Sequence, residues 1–168
     1  MSFTFFSCLL SLLFHELVIS HFMLPKRFYT ASTIVVCNGT ALLHMHPKFR
    51  TWLPVGGHVE SNELPHEAAI REVNEETGLT VELLELSPRM HFGYAETLVS
   101  PAHTQLITLT HDHQLVDFLY YASISADVAN LSSTHQFRWF TREELSTSLS
   151  LKPDVRYFAI EAIELLSH

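Results

Sequence analysis

The pattern of apolar and polar positions along the chain predicts strands near its beginning. Phe28 to Cys37 is rich in β-branched and aromatic residues, which favours a strand, and Asn38-Gly39 is a strong hairpin turn signal. Thr40 to His46 can then return as the antiparallel partner strand. This part of the sequence therefore predicts a β-hairpin.

Two later segments have the pattern of helices. Pro65 suits the first turn of a helix, the run from His66 to Thr77 consists of good helix formers, and Gly78 suits a left-handed C-terminal cap. Asp154 to Leu166 has apolar residues at helical periodicity. We therefore predict one helix in the middle of the chain and one at its end.

Two further segments have an extended pattern. Val81 to Phe92 is predicted as extended structure with a break at Pro88, and Leu115 to Ile124 as a strongly apolar strand. Strands and helices therefore mix, as an α/β or α+β layered structure requires. We see no repeat, low-complexity tract or linker, so residues 25–168 are predicted to form a single domain.

Residues 1–24 form a hydrophobic amino-terminal extension of uncertain status. Phe3 to Phe14 is nearly all apolar, but His15-Glu16 interrupts the run before it reaches the roughly 20 residues that a bilayer span needs. No Lys or Arg precedes Lys26, so the basic region of a secretory signal is missing. Three interpretations stay open: a helix packed on the domain, a membrane anchor, or an upstream extension with a working start at Met23. We favour the last, and membrane association is the least favoured.

Composition restricts the partners of the chain. With 10 Lys+Arg against 18 Asp+Glu the net charge is -8, so polymeric nucleic acid is not expected as a partner. A small nucleotide that arrives with its metal is easier to accommodate. The two cysteines, Cys8 and Cys37, do not indicate a disulfide framework, and a reducing cytoplasm is the simpler location.

The first predicted helix has an unusual cluster of acidic residues. At about 100° per residue, Glu72, Glu75 and Glu76 share one helix face. Each like-charge pair costs the helix roughly 0.2–0.5 kcal/mol, so the three carboxylates are either solvated or neutralised by cations. Hard oxygen ligands suit magnesium or manganese. A glutamate-rich surface helix is the alternative from composition alone.

Neighbouring residues favour the metal interpretation. Arg71 lies one turn before Glu75 and one turn after Glu67, so it can orient either carboxylate by a charge-assisted pair. Gly56-Gly57, just upstream, lets the backbone approach a ligand or metal closely.

The segment from Gly57 to Leu79 resembles the Nudix box. That motif is Gly, five residues, Glu, seven residues, Arg-Glu, an aliphatic residue, any residue, Glu-Glu, any residue, Gly and an aliphatic residue. Every specified place is filled here: Gly57, Glu63, Arg71, Glu72, Val73, Glu75, Glu76, Gly78 and Leu79. On this motif the chain is identified as a member of the Nudix hydrolase family.

The resemblance extends beyond the box, over residues 27–165. Trp52 to Gly57 is similar to the strand and loop that enter the box, and Phe137 to Phe140 with Thr141 to Leu145 is similar to the late strand and following helix. The resemblance implies an α/β/α sandwich around a mixed β-sheet. It also implies hydrolysis of a diphosphate linkage in a nucleoside diphosphate joined to another group: a nucleoside triphosphate, a damaged nucleotide or a nucleotide sugar such as ADP-ribose.

The same resemblance implies roles for the glutamates, with Mg²⁺ as cofactor or Mn²⁺ in its place. Glu72 and Glu76 are the preferred direct ligands, and Glu75 is a third ligand or the base that orients the attacking water. The carbonyl of Gly56 is a further ligand. Glu63 either reaches the metal through water or makes a structural contact to its loop. Arg71 is expected to orient the carboxylates.

An additional acid from a later segment is expected by resemblance, and the sequence does not choose among Glu96, Asp112 and Asp117. Asp117, inside an apolar strand, is predicted to be buried with a structural partner. Asp112, between His111 and His113, is predicted to lie in a loop.

Other ligand types are weaker candidates. His44 and His46 would share one face of a strand, as would His111 and His113 if that stretch were extended, but such spacings arise readily among 12 histidines and a zinc site is not favoured. Three aromatic side chains could stack on a base or pack in the core: Trp52, Phe92 and Tyr94. No substrate-binding residue is assigned.

Two functions from different classes therefore stand. The first is a magnesium-dependent pyrophosphohydrolase, and the second is a Nudix-like sensor domain that binds a nucleotide without turnover. Retention of every box glutamate favours the enzyme, because a binding module has no evident need for clustered carboxylates. The identity of the substrate and the formation of a homodimer stay open.

Overall fold

In the computed structural model, which describes residues 24–124 and 136–167, a mixed β-sheet lies between helices on both of its faces. The predicted α/β/α sandwich is therefore confirmed. Residues 1–23 lie outside the described residues, and with them the predicted amino-terminal extension and Cys8. None of the helices formed by the described residues is long and apolar enough to cross a bilayer.

The predicted hairpin is present. Strand β1 (Lys26–Cys37) and strand β2 (Thr40–His46) pair antiparallel, with Val35 opposite Leu42. Asn38 and Gly39 both have positive φ, at 48° and 71°, as a tight hairpin turn of two residues requires. The apolar pattern and the turn signal together were sufficient to predict this unit.

The centre of the sheet is a parallel pair. Strand β1 runs beside β7 (His113–Ser123) over eleven paired positions, from Lys26↔His113 to Val36↔Ser123. Strand β6 (His103–Thr110) pairs antiparallel with β7, and β8 (Gln136–Thr141) pairs antiparallel with β2. Parallel and antiparallel pairs therefore occur in one sheet.

The segment from Trp52 to Gly57 differs from the expected strand and loop. Strand β3 (Thr51–Leu53) pairs with β2, but after Pro54 the chain forms a second strand, β4 (Val55–His58), which pairs with β1. The loop expectation was wrong because β2 pairs with β1 only beyond Thr33, which leaves that edge of β1 open to β4.

The extended segment predicted over Val81 to Phe92 is also mostly wrong. Only β5 (Glu82–Leu83) pairs with the sheet, beside the last residues of β7. The sequence pattern did not single out strand β6, which pairs with β7 from His113 to Leu119. Only the last residues of β7 are left for β5. A longer β5 would need the part of the β7 edge that β6 already occupies.

The helices cover the two faces of the sheet. Helix α1 (Pro65–Thr77) is confirmed and ends at Gly78 with φ 77°. Its residues Ala68, Ala69 and Val73 form one core cluster with residues outside the helix: Ala31, Val35, Leu42, Val55, Val81, Leu83, Val99, Tyr120 and Ala122. Helices α2 (Arg142–Thr147) and α3 (Pro153–Leu166) close the opposite face, where the cluster includes Ile34, Leu43, Leu119, Tyr121, Leu145, Ala159 and Ile163.

Candidate metal centre and active site

Helix α1 is anchored so that its glutamates approach β2 and β4. Its buried side, with Ala69 and Val73, rests on the sheet, and the hydroxyl of Thr33 donates to the Ala69 carbonyl at 3.4 Å. At its amino end the Glu67 carboxylate accepts the N–H of Leu64 at 2.9 Å, which satisfies a donor that the helix itself cannot pair. The helix is therefore fixed at both its face and its first turn.

The two glycines of β4 let the backbone approach the helix. A Cβ atom at Gly57 would lie 2.3 Å from Oε1 of Glu72, so the Glu72 carboxylate occupies the space that any other residue would fill. Gly56 has φ 156°, and a Cβ there would lie 2.2 Å from the carbonyl oxygen of Ala31. Both positions therefore require glycine, one for the carboxylate and one for the strand pairing.

Arg71 connects three of the box glutamates. Its Nε and Nη2 contact the two carboxylate oxygens of Glu63 at 2.7 and 3.0 Å, and its Nη1 lies 2.9 Å from Glu72 and 3.0 Å from Glu75. Nη2 also donates to the carbonyl of His58 at 3.0 Å. The pairing with Glu75 agrees with the sequence, whereas Glu67 caps the helix instead of meeting Arg71.

The charges in this network stabilise each other. The hydrogen bond from Arg71 holds the pKa of Glu63 below its usual value, and Glu63 in turn is the main cause of the raised pKa of Arg71. Glu63 also accepts the N–H of Glu60 at 3.0 Å. The sequence predicted either a water-mediated metal contact or a structural contact for Glu63. The contacts among the described residues support the structural contact to the loop.

Glu76 is in a different environment from the other three. Its side chain is 18% exposed, and burial together with the charge of Glu72 raises the pKa of Glu76 to about 7. Its buried Oε2 accepts no hydrogen bond from the part of the chain that the structure describes, and Nδ1 of His44 lies 3.6 Å from that oxygen. Glu76 is thus a carboxylate whose ionised form needs a cation.

The donors fit a hard divalent cation. Glu72 and Glu76 would supply carboxylate oxygens and Gly56, by the sequence prediction, a carbonyl, and such a set suits Mg²⁺ or Mn²⁺. The unpaired oxygen of Glu76 and the Gly57 position that accommodates Glu72 are the two structural observations in favour. Across residues 24–124 and 136–167, no three acidic, histidine or cysteine side chains already converge on one point. Glu75, 60% exposed and paired with Arg71, would have to leave that arginine to become a third ligand.

The three later acids have other partners among the described residues. Asp117 is buried and accepts hydrogen bonds from Thr30, Ser32 and Gln105, which is the structural environment predicted for it. Asp112 lies in the β6–β7 turn, where a hydrogen bond from Thr110 lowers its pKa. Glu96 is exposed beside His91. Within the described chain none of the three pairs with a glutamate of α1.

The histidine and aromatic candidates are also placed by the structure. The rings of His44 and His46 lie 5.8 Å apart on β2, and His111 lies in a turn, so it does not continue the strand of His113. Trp52 packs edge-on against Phe140 at 5.2 Å. Phe92 and Tyr94 are exposed, on the connection between β5 and β6.

Sequence reasoning missed the contact between His44 and Glu76, because it considered His44 only together with His46. The alternation along β2 contained the signal, since it puts His44 on the same side as Leu42, which packs in the α1 cluster. That α1 covers this side of the sheet, and so brings Glu76 to His44, is known only from the three-dimensional fold.

Fold and site together define a class of α/β protein in which a mixed sheet holds a carboxylate-bearing helix against a Gly-Gly strand. A model of the NUDIX domain matches residues 27–164. The chain belongs to the Nudix hydrolase family, as its sequence predicts.

Solved structures are similar to this chain as well. A NUDIX-family hydrolase from Clostridium perfringens has 33% sequence identity and a TM-score of 0.71, covering 84% of this chain and 99% of that chain. The MutT protein of Methanosarcina mazei Go1, at 21% identity and a TM-score of 0.61, covers 85% of this chain and 96% of its own, and shares the fold.

A curated relative matches a shorter part of the chain. The m7GpppN-mRNA hydrolase NUDT17 of Danio rerio is 34% identical over 103 residues, which are 61% of this chain. The match spans only 28% of the length of that relative.

Proposed function

We propose that the chain is a divalent-metal-dependent pyrophosphohydrolase that cleaves a diphosphate linkage in a small nucleotide. The observation that supports this most directly is the pair of Glu72 and Glu76 against β2 and β4, with one buried oxygen of Glu76 left without a hydrogen-bond donor among the described residues. Nudix hydrolases generally depend on divalent metals.

Each side chain of the group has a distinct task in this proposal. Glu72 and Glu76 would hold Mg²⁺ or Mn²⁺ together with the carbonyl of Gly56. Bound there, the cation would offset the negative charge of the diphosphate and stabilise the leaving phosphate. Glu75, more exposed than Glu72 and Glu76, accepts the proton of the attacking water or adds a third ligand.

Arg71 and Glu63 act on the other carboxylates. Arg71 holds Glu72 and Glu75 in fixed directions and reduces their mutual repulsion. Glu63 holds Arg71 by a two-pronged ion pair, so its effect on the reaction passes through that arginine. We therefore regard Glu63 as a positioning residue.

The substrate is expected to be a small molecule. A net charge of -8 gives no general attraction for a nucleic acid polymer. The name of the Danio rerio relative adds a capped RNA end as a candidate that the sequence did not suggest. The free, buried thiol of Cys37 is consistent with a reducing cytoplasm.

A substrate panel tests the proposal. The full chain is incubated with nucleoside triphosphates, ADP-ribose, nucleotide sugars, dinucleoside polyphosphates and a capped dinucleotide, with Mg²⁺ or with chelator, and the products are separated by chromatography. We expect metal-dependent release of a nucleoside monophosphate from one class. Nucleotides that raise the melting temperature without any turnover would instead identify a binding domain.

Glu76→Gln tests the ligand assignment, because glutamine preserves the shape of the side chain and removes its charge. We expect turnover to fall about 100-fold or more, metal affinity to weaken and the fold to persist. Glu82→Gln, an exposed glutamate on β5, is the matched control and should behave as the wild type. Unchanged activity of Glu76→Gln at limiting Mg²⁺ would contradict the assignment.

A further inference from the structure

We propose that His44 is a positioning residue that presets the Glu76 carboxylate for its cation. The inference rests on the proposed function, since it assumes that Glu76 is a metal ligand. His44 is 3% exposed, and its Nδ1 lies 3.6 Å from Oε2 of Glu76. A ring at this distance limits the directions in which the carboxylate can turn.

The other box glutamates already have a partner of this kind. Arg71 contacts Glu63, Glu72 and Glu75, and in the described chain its ion pairs do not include Glu76. Glu76 lies one residue before the end of α1, where a side chain without a partner would sample several rotamers that metal binding must then restrict. His44 is the side chain placed to restrict it.

The imidazole ring is itself firmly held. Strand β2 has a partner on each edge at this point, with His44 opposite Leu53 of β3 and opposite Phe137 of β8. The ring stacks on Phe137 with centroids 6.3 Å apart and meets His46 edge-on. Neither the backbone nor the ring can move away from Glu76 without breaking these contacts.

Groups that orient metal ligands have measurable effects on affinity. Removal of such a partner typically weakens metal binding or activity about 10–100-fold. A residue that only fills the core would instead change the stability of the fold and leave the metal affinity unchanged. The two roles are therefore separable by measuring both quantities.

The test compares three variants of the full chain by Mn²⁺ titration, with free Mn²⁺ followed by electron paramagnetic resonance and no nucleotide present. His44→Phe retains the stacking and removes the ring nitrogens, and should raise the Mn²⁺ Kd about 10–100-fold. His44→Asn places an amide nitrogen at the position of Nδ1 and should restore most of the affinity. His111→Asn, at an exposed histidine in the β6–β7 turn, should bind Mn²⁺ as the wild type does.

Melting temperatures without metal show whether each variant is folded. A folded His44→Phe with wild-type Mn²⁺ affinity would overturn the proposal. If His44→Phe does not fold, His44→Gln replaces it, since its amide lies one bond farther out. Equal affinity of His44→Gln and His44→Asn would then show that no specific contact is involved.

Glu76→Gln separates this inference from the proposed function. If Glu76→Gln weakens Mn²⁺ binding and His44→Phe does not, only the role of His44 is refuted. If Glu76→Gln binds Mn²⁺ as the wild type does, both the ligand assignment and the role of His44 are refuted. In steady-state assays, the Mg²⁺ concentration for half-maximal activity should rise more than kcat falls in His44→Phe.

Discussion

Glu72 and Glu76, one turn apart on α1, differ in their charge partners. Glu72 lies against Gly57 and has an ion pair with Arg71 at 2.9 Å, whereas Glu76 is buried to a similar extent, has no ion pair with Arg71 in the described chain, and has its Oε2 3.6 Å from Nδ1 of His44. A buried carboxylate without a full charge partner favours its protonated form. The metal-free protein therefore stores an electrostatic cost at Glu76 that a cation would relieve.

That cost predicts a pH-dependent stability. The pKa of Glu76 is raised from 4.5 to about 7 in the folded chain, so its stabilising, protonated form is complete below pH 4.5 and is lost as the pH rises through 7. Without metal, Glu76→Gln should be more stable than the wild type at pH 8, on the order of 2 kcal/mol, and nearly equal to it at pH 5.

Denaturant unfolding in chelator at both pH values measures this difference. Added Mg²⁺ should stabilise the wild type at pH 8 and have little effect on Glu76→Gln, because binding to the folded state adds to its free energy of unfolding. A variant less stable than the wild type at pH 8 in chelator would refute the electrostatic account of Glu76.

Arg71 leads to a second prediction at this scale. Arg71→Lys retains the charge but cannot contact Glu63 with two nitrogens and still reach Glu72 and Glu75. We expect kcat to fall about 10-fold or more and the free energy of unfolding to fall by roughly 1–2 kcal/mol. Arg89→Lys, in an exposed pair with Glu85, should change neither quantity. Wild-type turnover by Arg71→Lys would show that the network does not orient the glutamates.

The sequence predicted the glutamates better than it predicted their partners. Spacing on a helix is a local property, so Glu72, Glu75 and Glu76 were placed on one face correctly. The partner of Arg71 was ambiguous, because Glu67 and Glu75 are equally spaced from it, and the capping role of Glu67 decided the matter. His44 is distant in sequence and could be linked to Glu76 only through the fold.

At the scale of elements, β4 is where the strand pairing and the site meet. Gly56→Ala would place a Cβ 2.2 Å from the Ala31 carbonyl and 2.7 Å from the Ser32 Cα, both backbone atoms, and its φ of 156° is unfavourable for alanine. We expect a loss of about 1–3 kcal/mol of stability. In Gly57→Ala the obstacle is the flexible Glu72 carboxylate, so the side chain should move aside.

The two alanine variants should therefore separate folding from catalysis. Gly57→Ala should retain most of its melting temperature and lose most of its metal-dependent turnover, whereas Gly56→Ala should melt clearly lower. Thermal unfolding and steady-state kinetics on both proteins check this. A Gly57→Ala protein with full activity would show that Glu72 does not need its position against β4.

The elements themselves were predictable where the signals are local. The β1–β2 hairpin and α1 follow from turn residues, caps and periodicity within short windows. Strand β6 has apolar residues on both of its faces, Leu106 and Ile107 in succession, so its alternation is blurred. The length of β5 depends on how much of β7 is left after β6 has paired, which no local pattern contains.

At the scale of the whole molecule, the site depends on the long β1–β7 pair at the centre of the sheet. Strand β1 pairs with β4 near its middle and with β2 near its end, so it fixes the strands that carry Gly57 and His44 relative to one another. Helix α1 then bridges those strands. Residues far apart in sequence meet because they share this central strand.

This dependence leads to a prediction about the amino-terminal residues. The described pairing of β1 begins at Lys26, opposite His113, and the family match begins at residue 27. A chain that starts at Met23 retains every strand, helix and core cluster described above. We expect it to unfold cooperatively, with a melting temperature and Mn²⁺ affinity close to those of the full chain and with the same metal-dependent turnover.

The comparison of the two chains decides between the interpretations of residues 1–22. If those residues packed on the domain, their removal would expose apolar surface and lower the melting temperature, because buried apolar area contributes roughly 25 cal/mol per Å². If they formed a membrane anchor, the full chain would sediment with lipid vesicles and the shorter chain would not. Equal stability together with equal absence from the vesicle pellet is the result expected for an upstream extension.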